Sequence, residues 1–512
     1  MGKKKSVVLM VLLTIVIVVL CAIFMFPPIP VGGVNSWNPV TLQYDMSMEL
    51  AGGRYAYYYP QGVKTEVEYN ETVAGYDAVI ANPKDAADKA KAEEDKAEYV
   101  KNWDKAGTTG SLYFSTKESD KVLEKDGANY VITEEFQTAF DEVAKEIAWR
   151  FEQKGYSDYK VAVVDGYAIR VEVPKSASDG TGALSLFSAT DKMTITKGDA
   201  VLDELAEDGA KLSDFVSSVS VGVIYKQAYL SIRFNAAGNE MIEKAKSGLS
   251  SVSDTSDSAT TLNVKVGDQE VTKIYSDNIR HDNEVRILYA DEKNKSVVET
   301  YAILFNSLIA NDGFDITFES VSDVREFGPV YGEHVVTLLY IALGIVLLAM
   351  LVLPVVKMGR FGIVSDYANL SFLAVVGICF KYLTGGIFEF SLGSVLVFVA
   401  GLALMNVLQY HIYKAIKKEF DLGKTVDSSV KGGYKKTLWN IVDMYAVLLL
   451  GAIALLFGGA GVATMGLQAI VCVVTGAFCN LLWARAINYI FLSASNNKYK
   501  YFRFVREDDD DE

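Results

Sequence analysis

The chain has almost no histidine and very little cysteine, two residue types that most often build metal sites and nucleophilic centres. It has three histidines and four cysteines in 512 residues. The histidines, His281, His334 and His411, are too scattered for a metal site. No cysteine lies between Cys21 and Cys379, and neither a Gly-x-Ser-x-Gly element nor a Walker lysine loop occurs. We therefore predict no enzyme activity, no metal and no cofactor, so that any energy must come from ions or from a partner.

Cysteine is confined to the apolar parts of the chain. All four residues, Cys21, Cys379, Cys472 and Cys479, fall in long apolar runs. We expect them to be buried small thiols that pack between helices. The long segment between the first two cysteines can bury a sufficient core without disulfide bonds.

Positive charge is outweighed by negative charge. The formal net charge is −15, and the chain ends in an acidic run. The basic residues cluster beside the apolar runs, so the acidity lies in the large central segment and in the tail. A surface of this kind argues against a nucleic acid as partner.

What the sequence does contain is a set of apolar runs long enough to cross a bilayer. A hydrocarbon core of roughly 30 Å takes about 20 helical residues. The sequence therefore predicts an α-helical polytopic membrane protein, with six transmembrane helices at residues 6–26, 335–356, 363–383, 390–413, 438–457 and 462–491.

Basic residues beside these runs set the orientation, because lysine and arginine near span ends stay in the cytoplasm. They occur before the first run, in the turn after the second, between the fourth and fifth, and after the sixth. All four positions fall on one side of a six-span topology. The loops 384–389 and 458–461 fall on the other side and contain no lysine or arginine.

The predicted protein is therefore a multi-pass protein of the cell membrane with both termini in the cytoplasm. The first run is predicted to be an uncleaved anchor, because no convincing small-x-small cleavage site follows it. The segments outside the spans are predicted as a cytoplasmic N-terminus 1–5, an extracytoplasmic domain 27–334, a cytoplasmic connection 414–437 and an acidic-ended cytoplasmic tail 492–512.

The segment 27–334 has the pattern of an α+β domain of ferredoxin-like type, in which helices alternate with strands and hairpins. Its stretch near 85–126 is rich in Ala, Lys, Asp and Glu, and we expect a solvated insertion there. The other predicted elements are a helix at 134–154, strands at 159–164 and 167–173 joined by the Asp165-Gly166 turn, a strand at 228–234 running into a helix at 238–245, and a helix at 298–309 followed by a strand at 314–321.

Short motifs follow one another in a fixed order relative to the apolar runs. They are Glu49-Leu50-Ala51-Gly52-Gly53, Arg150 to Gly155, Gly328-Pro329-Val330-Tyr331-Gly332, Asn406-Val407-Leu408, Leu422-Gly423-Lys424, Asp443, and Phe457-Gly458-Gly459. In this order they resemble SecD, the accessory subunit of the bacterial Sec translocon. The family has Asp-Leu-x-Gly-Gly after the first span, Arg-x(4)-Gly, Val-Gly-Pro-x-x-Gly before the second span, and Asp-Ala-Asn elements in the fourth and fifth spans.

The sequence departs from that family in the spans. Leu404 stands where the family has the Asp of its first Asp-Ala-Asn element, which is held to carry proton coupling, and Met405 replaces the Ala. In the fifth span Tyr445 replaces the Asn, and after the first span Glu49 replaces Asp.

The resemblance leaves Asp443 as the candidate for proton coupling. A carboxylate inside a bilayer costs roughly 2.5 kcal/mol or more at the centre, so its presence usually serves a function. The alternative for Asp443 is a helix-end residue at the cytoplasmic edge. His411, on the same helical face as Leu404, is a possible proton relay or a residue at the level of the lipid headgroups.

The resemblance implies a subunit that assists export of preproteins across the cytoplasmic membrane, coupled to the proton gradient. Its implied partners are the Sec channel, the unfolded preprotein and, because six runs match the unfused form of the family, a separate SecF-like six-span subunit. Membrane lipid surrounds the spans. Two alternatives stay open: an exporter of small molecules or lipids of the resistance-nodulation-division type, and a scaffold that only stabilises the translocon.

Overall fold

The structure is a computed structural model in which the chain forms two compact units. The helical unit comprises Met1–Gly52 and Gly328–Glu512, and the sheet unit comprises Gly53–Phe327. The residues that the structure describes are 3–25, 29–32, 35–37, 44–105, 112–116, 123–126, 129–156, 158–164, 168–177, 180–198, 200–207, 209–254, 260–280, 283–289, 295–382, 389–495 and 498.

The helical unit begins with a long apolar helix at the position of the first predicted span. This helix, α1, has 23 residues, which at 1.5 Å per residue gives a length of about 35 Å. The elements of this part are α1 (Lys3–Met25), the antiparallel pair β1 (Ile29–Gly32) and β2 (Asn35–Trp37), β3 (Asp45–Met46) and the short helix α2 (Met48–Ala51).

The sheet unit alternates strands with helices, as the sequence predicts for an α+β unit. In chain order its described elements are β4 (Gly53–Pro60), β5 (Val63–Thr65), α3 (Glu66–Ala81), α4 (Ala86–Lys101), β6 (Trp103–Lys105), β7 (Leu112–Ser115), β8 (Leu123–Asp126), β9 (Asn129–Ile132), α5 (Glu134–Gln153), β10 (Lys160–Val164), β11 (Ala168–Pro174), α6 (Gly180–Leu186), β12 (Met193–Lys197), β13 (Ala200–Val201), α7 (Asp203–Ala206), β14 (Val216–Ile224), β15 (Gln227–Phe234), α8 (Ala236–Ala245), β16 (Leu262–Val266), β17 (Gln269–Ile274), β18 (Glu284–Leu288), α9 (Lys295–Asn311), β19 (Phe318–Val321) and β20 (Arg325–Phe327).

Three antiparallel sheets carry the core of this unit. The first has the strand order β10-β11-β4-β19, and β20 also pairs with β4. The second has the order β13-β12-β16-β17, and the third has the order β14-β15-β18. Helix α5 packs against β10, and α9 packs against β14 and β15. The apolar faces of these sheets and helices join in one hydrophobic cluster.

Helix α5 shows how the sequence specifies this packing. Thr133 caps its N-terminus by accepting a hydrogen bond from the backbone N–H of Phe136, and two glutamates occupy its first turn. The residues at spacings of three and four are all buried, which confirms the predicted apolar face: Phe136, Phe140, Val143, Ile147 and Phe151. Gly155 follows the helix with a φ of +84°, the left-handed conformation that glycine commonly adopts just after a helix end.

Most of the predicted elements of the sheet unit occur close to their predicted positions. The two strands before Pro174 are β10 and β11, and the strand that runs into a helix is β15 followed by α8. The last strand is shorter than predicted and begins at Phe318, because the chain turns at Gly313 and Phe314 donates its N–H to the carbonyl of Thr190 instead. The Asp165-Gly166 turn lies outside the described residues.

The stretch near 85–126 contains the largely exposed helix α4, and its strands β6 and β7 form a small sheet with β5 in the order β5-β7-β6. Tyr69 and Tyr113 stack there with ring centroids 3.7 Å apart, and Val63 and Phe114 join the main hydrophobic cluster. The periodicity of the sequence misses this sheet because its strands have only three or four residues.

The helical unit continues with five helices that are long and apolar enough to cross a membrane, counted over the described residues. The connection 414–437 is itself largely helical, because α12 and α13 both extend beyond the predicted spans into a tight hairpin. The elements are α10 (Val335–Met358), α11 (Arg360–Tyr382), β21 (Glu389–Phe390), α12 (Leu392–Asp421), α13 (Val426–Leu455), α14 (Ala460–Phe478), a π-helical turn (Cys479–Trp483) and α15 (Ala484–Ala494).

Arg150 is a fully buried cation that ties three parts of the sheet unit together. Its Nε donates to the Ser307 hydroxyl at 2.8 Å, and its Nη1 donates to the carbonyl oxygens of Phe187 and Ala189, each at 2.7 Å. Ser307 in turn donates to Glu146 at 2.7 Å. Burial lowers the pKa of Arg150 to about 10, with Glu146 acting in the opposite direction, so the guanidinium stays charged at neutral pH.

We expect Arg150→Met to destabilise the sheet unit by about 3 kcal/mol or more, because two buried carbonyls and the Ser307–Glu146 pair lose their donor. Hydrogen exchange of the α5 amides in the full-length protein measures the effect as a loss of protection. Lys145→Met, at an exposed position of the same helix, is the matched control and should leave protection unchanged. Equal protection in both variants would contradict a structural role for Arg150.

Candidate functional site

Buried polar side chains in the helical unit mark the candidate site. Lipid cannot satisfy a hydrogen bond, so polar groups inside a span are usually paired with one another and often serve function. Among the described spans, some of these groups, on α11, α12, α13 and the π-helical turn that follows α14, form two hydrogen-bonded sets.

The first set joins three helices through Asn480. Gln409 on α12 donates from Nε2 to the Asn480 Oδ1 at 2.6 Å, and Asn480 donates from Nδ2 to the Tyr445 hydroxyl of α13 at 2.6 Å. Gln409 and Asn480 are fully buried and Tyr445 is nearly so. Tyr445 therefore takes part in a buried contact that joins these helices.

The π-helical turn makes this contact possible. A π-helical turn inserts a residue into an α-helix and redirects the side chains around it. Asn480 lies in this turn and reaches both α12 and α13, whereas Trp483 at its end donates from Nε1 to the Ser371 hydroxyl on α11 at 2.9 Å. Gly476, one turn earlier, leaves room for the Tyr445 ring, since an added Cβ would lie 3.1 Å from its hydroxyl.

The second set pairs two asparagines of neighbouring helices. Asn369 on α11 donates from Nδ2 to the Asn406 Oδ1 on α12 at 3.0 Å, and Asn406 donates to the Leu402 carbonyl of its own helix at 3.1 Å. Asn406 is the third residue of the Leu404-Met405-Asn406 triplet. Its amide fixes the contact between α11 and α12.

Leu404 borders an apolar groove of about 680 Å³ between α12, α13 and α14. Tyr445 borders the same groove, as do three glycines, Gly401, Gly451 and Gly476. An added Cβ at Gly451 would meet no atom within 4 Å, so this glycine faces open space. Leu404 thus adds an apolar surface to a groove that the described chain leaves open.

Asp443 and His411 both lie on the outer surface of the helical unit. Each side chain is exposed, and neither forms a hydrogen bond or an ion pair within the part of the chain that the structure describes. The described residues do not bring them together with the Asn480 set. Asp443 lies two residues before Tyr445, but Tyr445 points inward and Asp443 points outward.

Glu49 caps the helix that carries Leu404. Its Oε1 accepts a hydrogen bond from the Leu392 N–H at 2.6 Å, and Ser391 caps the same end by accepting from the Ser394 N–H at 3.2 Å. A carboxylate at a helix N-terminus is favourable because the N–H groups there are unpaired and the helix dipole is positive. Glu49 therefore has a capping role at this helix end.

Most glycines of the family-like motifs either allow a close backbone contact or adopt a positive φ. A Cβ on Gly53 would lie 2.6 Å from the Val173 carbonyl oxygen and 2.7 Å from the Phe327 ring, so only glycine fits where β4 meets its neighbours. Pro329 accepts a hydrogen bond from Gly332, and Gly328 adopts a negative φ. Positive φ values occur at Gly52 (76°), Gly332 (91°) and Gly423 (86°).

The hairpin between α12 and α13 is held by a buried carboxylate. Glu419 accepts hydrogen bonds from Lys424 and from Lys436, the second at 3.2 Å. Gly433 lets the two helices approach, because an added Cβ would lie 2.8 Å from the Ile416 nitrogen. This pairing places the turn at Gly423 and fixes the ends of both helices.

Sequence reasoning missed the Asn480 set. Gln409 and Asn480 are polar residues inside predicted spans, and that signal was present in the sequence, but the π-helical turn that brings them together leaves no trace in hydropathy. Over the described residues, no group of three or more His, Cys, Asp or Glu side chains could hold a metal ion.

Asn480→Leu should loosen the π-helical turn, because Gln409 and Tyr445 both lose their partner. Hydrogen bonds between membrane helices contribute about 0.6 to 1.7 kcal/mol each, so we expect a lower midpoint of thermal unfolding in mild detergent. The adjacent Cys479 is buried and should react several-fold faster with a thiol reagent, measured by mass spectrometry. Asn440→Leu, at an exposed position of α13, is the matched control, and equal reactivity in both variants would contradict the role of Asn480.

No protein-family model and no curated protein sequence matches the chain. Solved structures are similar to it. One is a crystal structure of SecDF in the super-membrane-facing form, with 14% sequence identity and a TM-score of 0.52 over 96% of this chain and 58% of that chain. Another is SecDF from Thermus thermophilus, described as a translocon-associated membrane protein, with 14% identity and a TM-score of 0.43 over 97% of this chain and 60% of that chain.

A heavy metal efflux pump is similar at 13% identity, with a TM-score of 0.32 over 96% of this chain and 51% of that chain. The chain spans less than two thirds of the length of the SecDF chains that it matches. At these identities the likeness concerns the fold alone. Together with the apolar helices, it shows a multi-pass membrane protein that has a SecDF-like fold with a sheet-rich unit.

Proposed function

We propose that this chain is a SecD-like subunit that assists the export of preproteins through the Sec channel. The observation that carries the proposal is the SecDF-like fold, which extends over 96% of the chain and joins a membrane bundle to a separate sheet unit. The order of the family-like motifs supports it independently, since Glu49, Gly53 and Asn406 have structural roles at the positions where the motifs occur. We propose that it is not an enzyme and binds no cofactor.

In this proposal the chain crosses the cell membrane six times, with α1 as the first span and both termini in the cytoplasm. The sheet unit lies outside the cytoplasm and captures the emerging unfolded preprotein. We assign it to the ferredoxin-like α+β type, because β11 lies between β4 and β10 while α5 connects the two outer strands of the three. The positions of the basic residues support the orientation.

The topology predicts opposite labelling of two introduced cysteines. Ser253 and Ser428 are both exposed, the first in the sheet unit and the second at the start of α13. In intact cells an impermeant thiol reagent should label Ser253→Cys, and it should label Ser428→Cys only after the membrane is permeabilised. The unmodified chain is the control for the native cysteines. Labelling of Ser428→Cys but not Ser253→Cys in intact cells would invert the topology.

We propose that the open groove at Leu404 receives a SecF-like six-span subunit. Transporters built from repeats place their working site between two bundles, and small residues let helices approach closely. Gly451 supports this use because it faces open space. Gly466 has a different role, since an added Cβ would lie 2.9 Å from the Ala452 carbonyl oxygen and it therefore packs α14 against α13.

A partner at the groove also gives Asp443 and His411 a role. Both are outward-facing in the described chain, so a second subunit is the element that could cover them. In the proposal Asp443 couples proton movement to export at this interface, and His411 relays protons from the cytoplasmic side. The family acid at the Leu404 position is absent, which leaves the partner to supply the complementary groups.

Filling the groove should separate the partner from the chain and lower export. Gly451→Leu adds an apolar side chain in open space, so the chain itself should fold normally while less of the six-span partner copurifies in mild detergent. Pulse-labelled preproteins should mature several-fold more slowly, as they should in cells that lack the chain. Gly344→Leu is the matched control, because its Cβ also meets no atom within 4 Å but lies on α10, away from the groove.

The outcomes distinguish the alternatives. Normal preprotein maturation in cells that lack the chain, combined with increased sensitivity to small toxic molecules, would contradict the export role and favour a small-molecule exporter. Slower maturation that does not respond to collapse of the proton gradient would favour a scaffold of the translocon.

A further inference from the structure

Helix α11 carries three polar residues within little more than one turn, although it is the most buried of the five apolar helices in the described chain. They are Ser365, Asp366 and Asn369. Ser365 and Asn369 are almost fully buried, and the Oδ1 of Asp366 is buried as well. Residues three and four apart on a helix are neighbours on its surface, so these side chains share one region of α11.

The unpaired atoms in this region are oxygens. Within the described chain, the Ser365 Oγ, the Asp366 Oδ1 and the Asn369 Oδ1 are all buried without a hydrogen-bond partner. The Asn369 Oδ1 can only accept, so an ionised carboxylate would offer it no partner, whereas a protonated carboxyl adds a donor. Binding a proton also removes the cost of an unpaired charge inside a span.

The region is connected directly to the family-like motif on α12. Asn369 uses its Nδ2 to donate to Asn406 at 3.0 Å, and its unpaired Oδ1 remains on the α11 side. Asp366 lies three residues before Asn369. A carboxyl is therefore present one helical turn from the residue that pairs with the motif, on the helix beside the one where Leu404 replaces the family acid.

The ionisable groups on the elements that pack against α11 do not pair with Asp366, and some of them contact aromatic rings instead. Lys357 and Lys414 stand over the Tyr410 ring at 5.8 and 4.7 Å, and Arg485 stands over the Tyr434 ring at 5.7 Å. In the part of the chain that the structure describes, Asp366 forms no hydrogen bond or ion pair with any ionisable group on these elements or on α11 itself. These groups are Lys3, Lys4, Lys5, Tyr340, Lys357, Arg360, Tyr367, Cys379, Lys381, Tyr382, Tyr410, His411, Tyr413, Lys414, Lys417, Lys418, Glu419, Asp421, Cys472, Cys479, Arg485 and Tyr489.

We propose that Asp366 is a reversible proton-binding site inside the membrane bundle, with Ser365 and Asn369 as the groups that accept and orient the hydrogen bond of its protonated carboxyl. The proton comes from the aqueous phase at the inner end of α11 and returns to it, so the only bond that forms and breaks is the O–H bond of the carboxyl. The site requires the membrane bundle and does not depend on the proposed role in export.

Infrared difference spectroscopy of the full-length protein in lipid vesicles tests the proposal. Spectra are compared at about pH 8 and about pH 6, because exposed Asp and Glu carboxyls titrate near about pH 4 and stay ionised throughout. A carboxylic C=O band should develop at the lower pH and shift in deuterated water. We expect this band to be lost in Asp366→Asn and to be unchanged in Asp421→Asn, a matched variant at the exposed end of α12.

Two further variants keep the test decisive. Asp366→Glu retains a carboxyl and moves it by one methylene, so its band should persist at a shifted frequency even if Asp366→Asn fails to fold. An unchanged frequency in Asp366→Glu would overturn the proposal. So would the absence of any band, or a band that survives Asp366→Asn and disappears in Asp443→Asn, which would assign the proton to Asp443. Because export is not measured, none of these outcomes bears on the export role.

Discussion

A polar side chain inside an apolar helix bundle cannot exchange hydrogen bonds with water, so its partners must come from neighbouring helices. The helical unit meets this constraint chiefly at Asn480. A regular helix from α14 through α15 would present one face to one neighbour, whereas the π-helical turn lets Asn480 contact α12 and α13 while Trp483 contacts α11. The geometry of four helices therefore depends on one irregular turn, and the groove beside Tyr445 takes its shape from the same contact.

The helix ends are fixed by charge, where water is present and charge is less costly. Glu49 caps α12 at one end, and Glu419 joins α12 to α13 at the other through Lys424 and Lys436. Neutral amides thus hold the middle of the bundle and carboxylates hold its ends. This division follows from the cost of burying charge.

The periodic and compositional parts of the fold could be predicted from the sequence, and the parts that depend on irregular geometry could not. The spacing of Phe136 to Phe151 predicts α5 because a long amphipathic helix repeats its signal over several turns. The sheet β5-β7-β6 was not predicted, because strands of three or four residues are too short to show a repeating pattern. The site divides in the same way: Asn406 was recognised through a motif, whereas its pairing with Asn369 and the contact of Gln409 with Asn480 depend on which faces of the helices meet.

Asp366 and Asp443 differ in how protonation of each would be coupled to the packing of the helices. Amides and a phenol can hold helices together, but a proton gradient can act only through a group that gains and loses a proton. Asp443 is exposed in the described chain, so its environment would be set by whatever covers α13. The Oδ1 of Asp366 is buried within its own chain, so its environment changes when the helices around it move. Protonation of such a buried carboxyl is therefore coupled to the packing of α11 against α12. The hydrogen bond between Asn369 and Asn406 is the nearest contact between these helices that a change in protonation would affect.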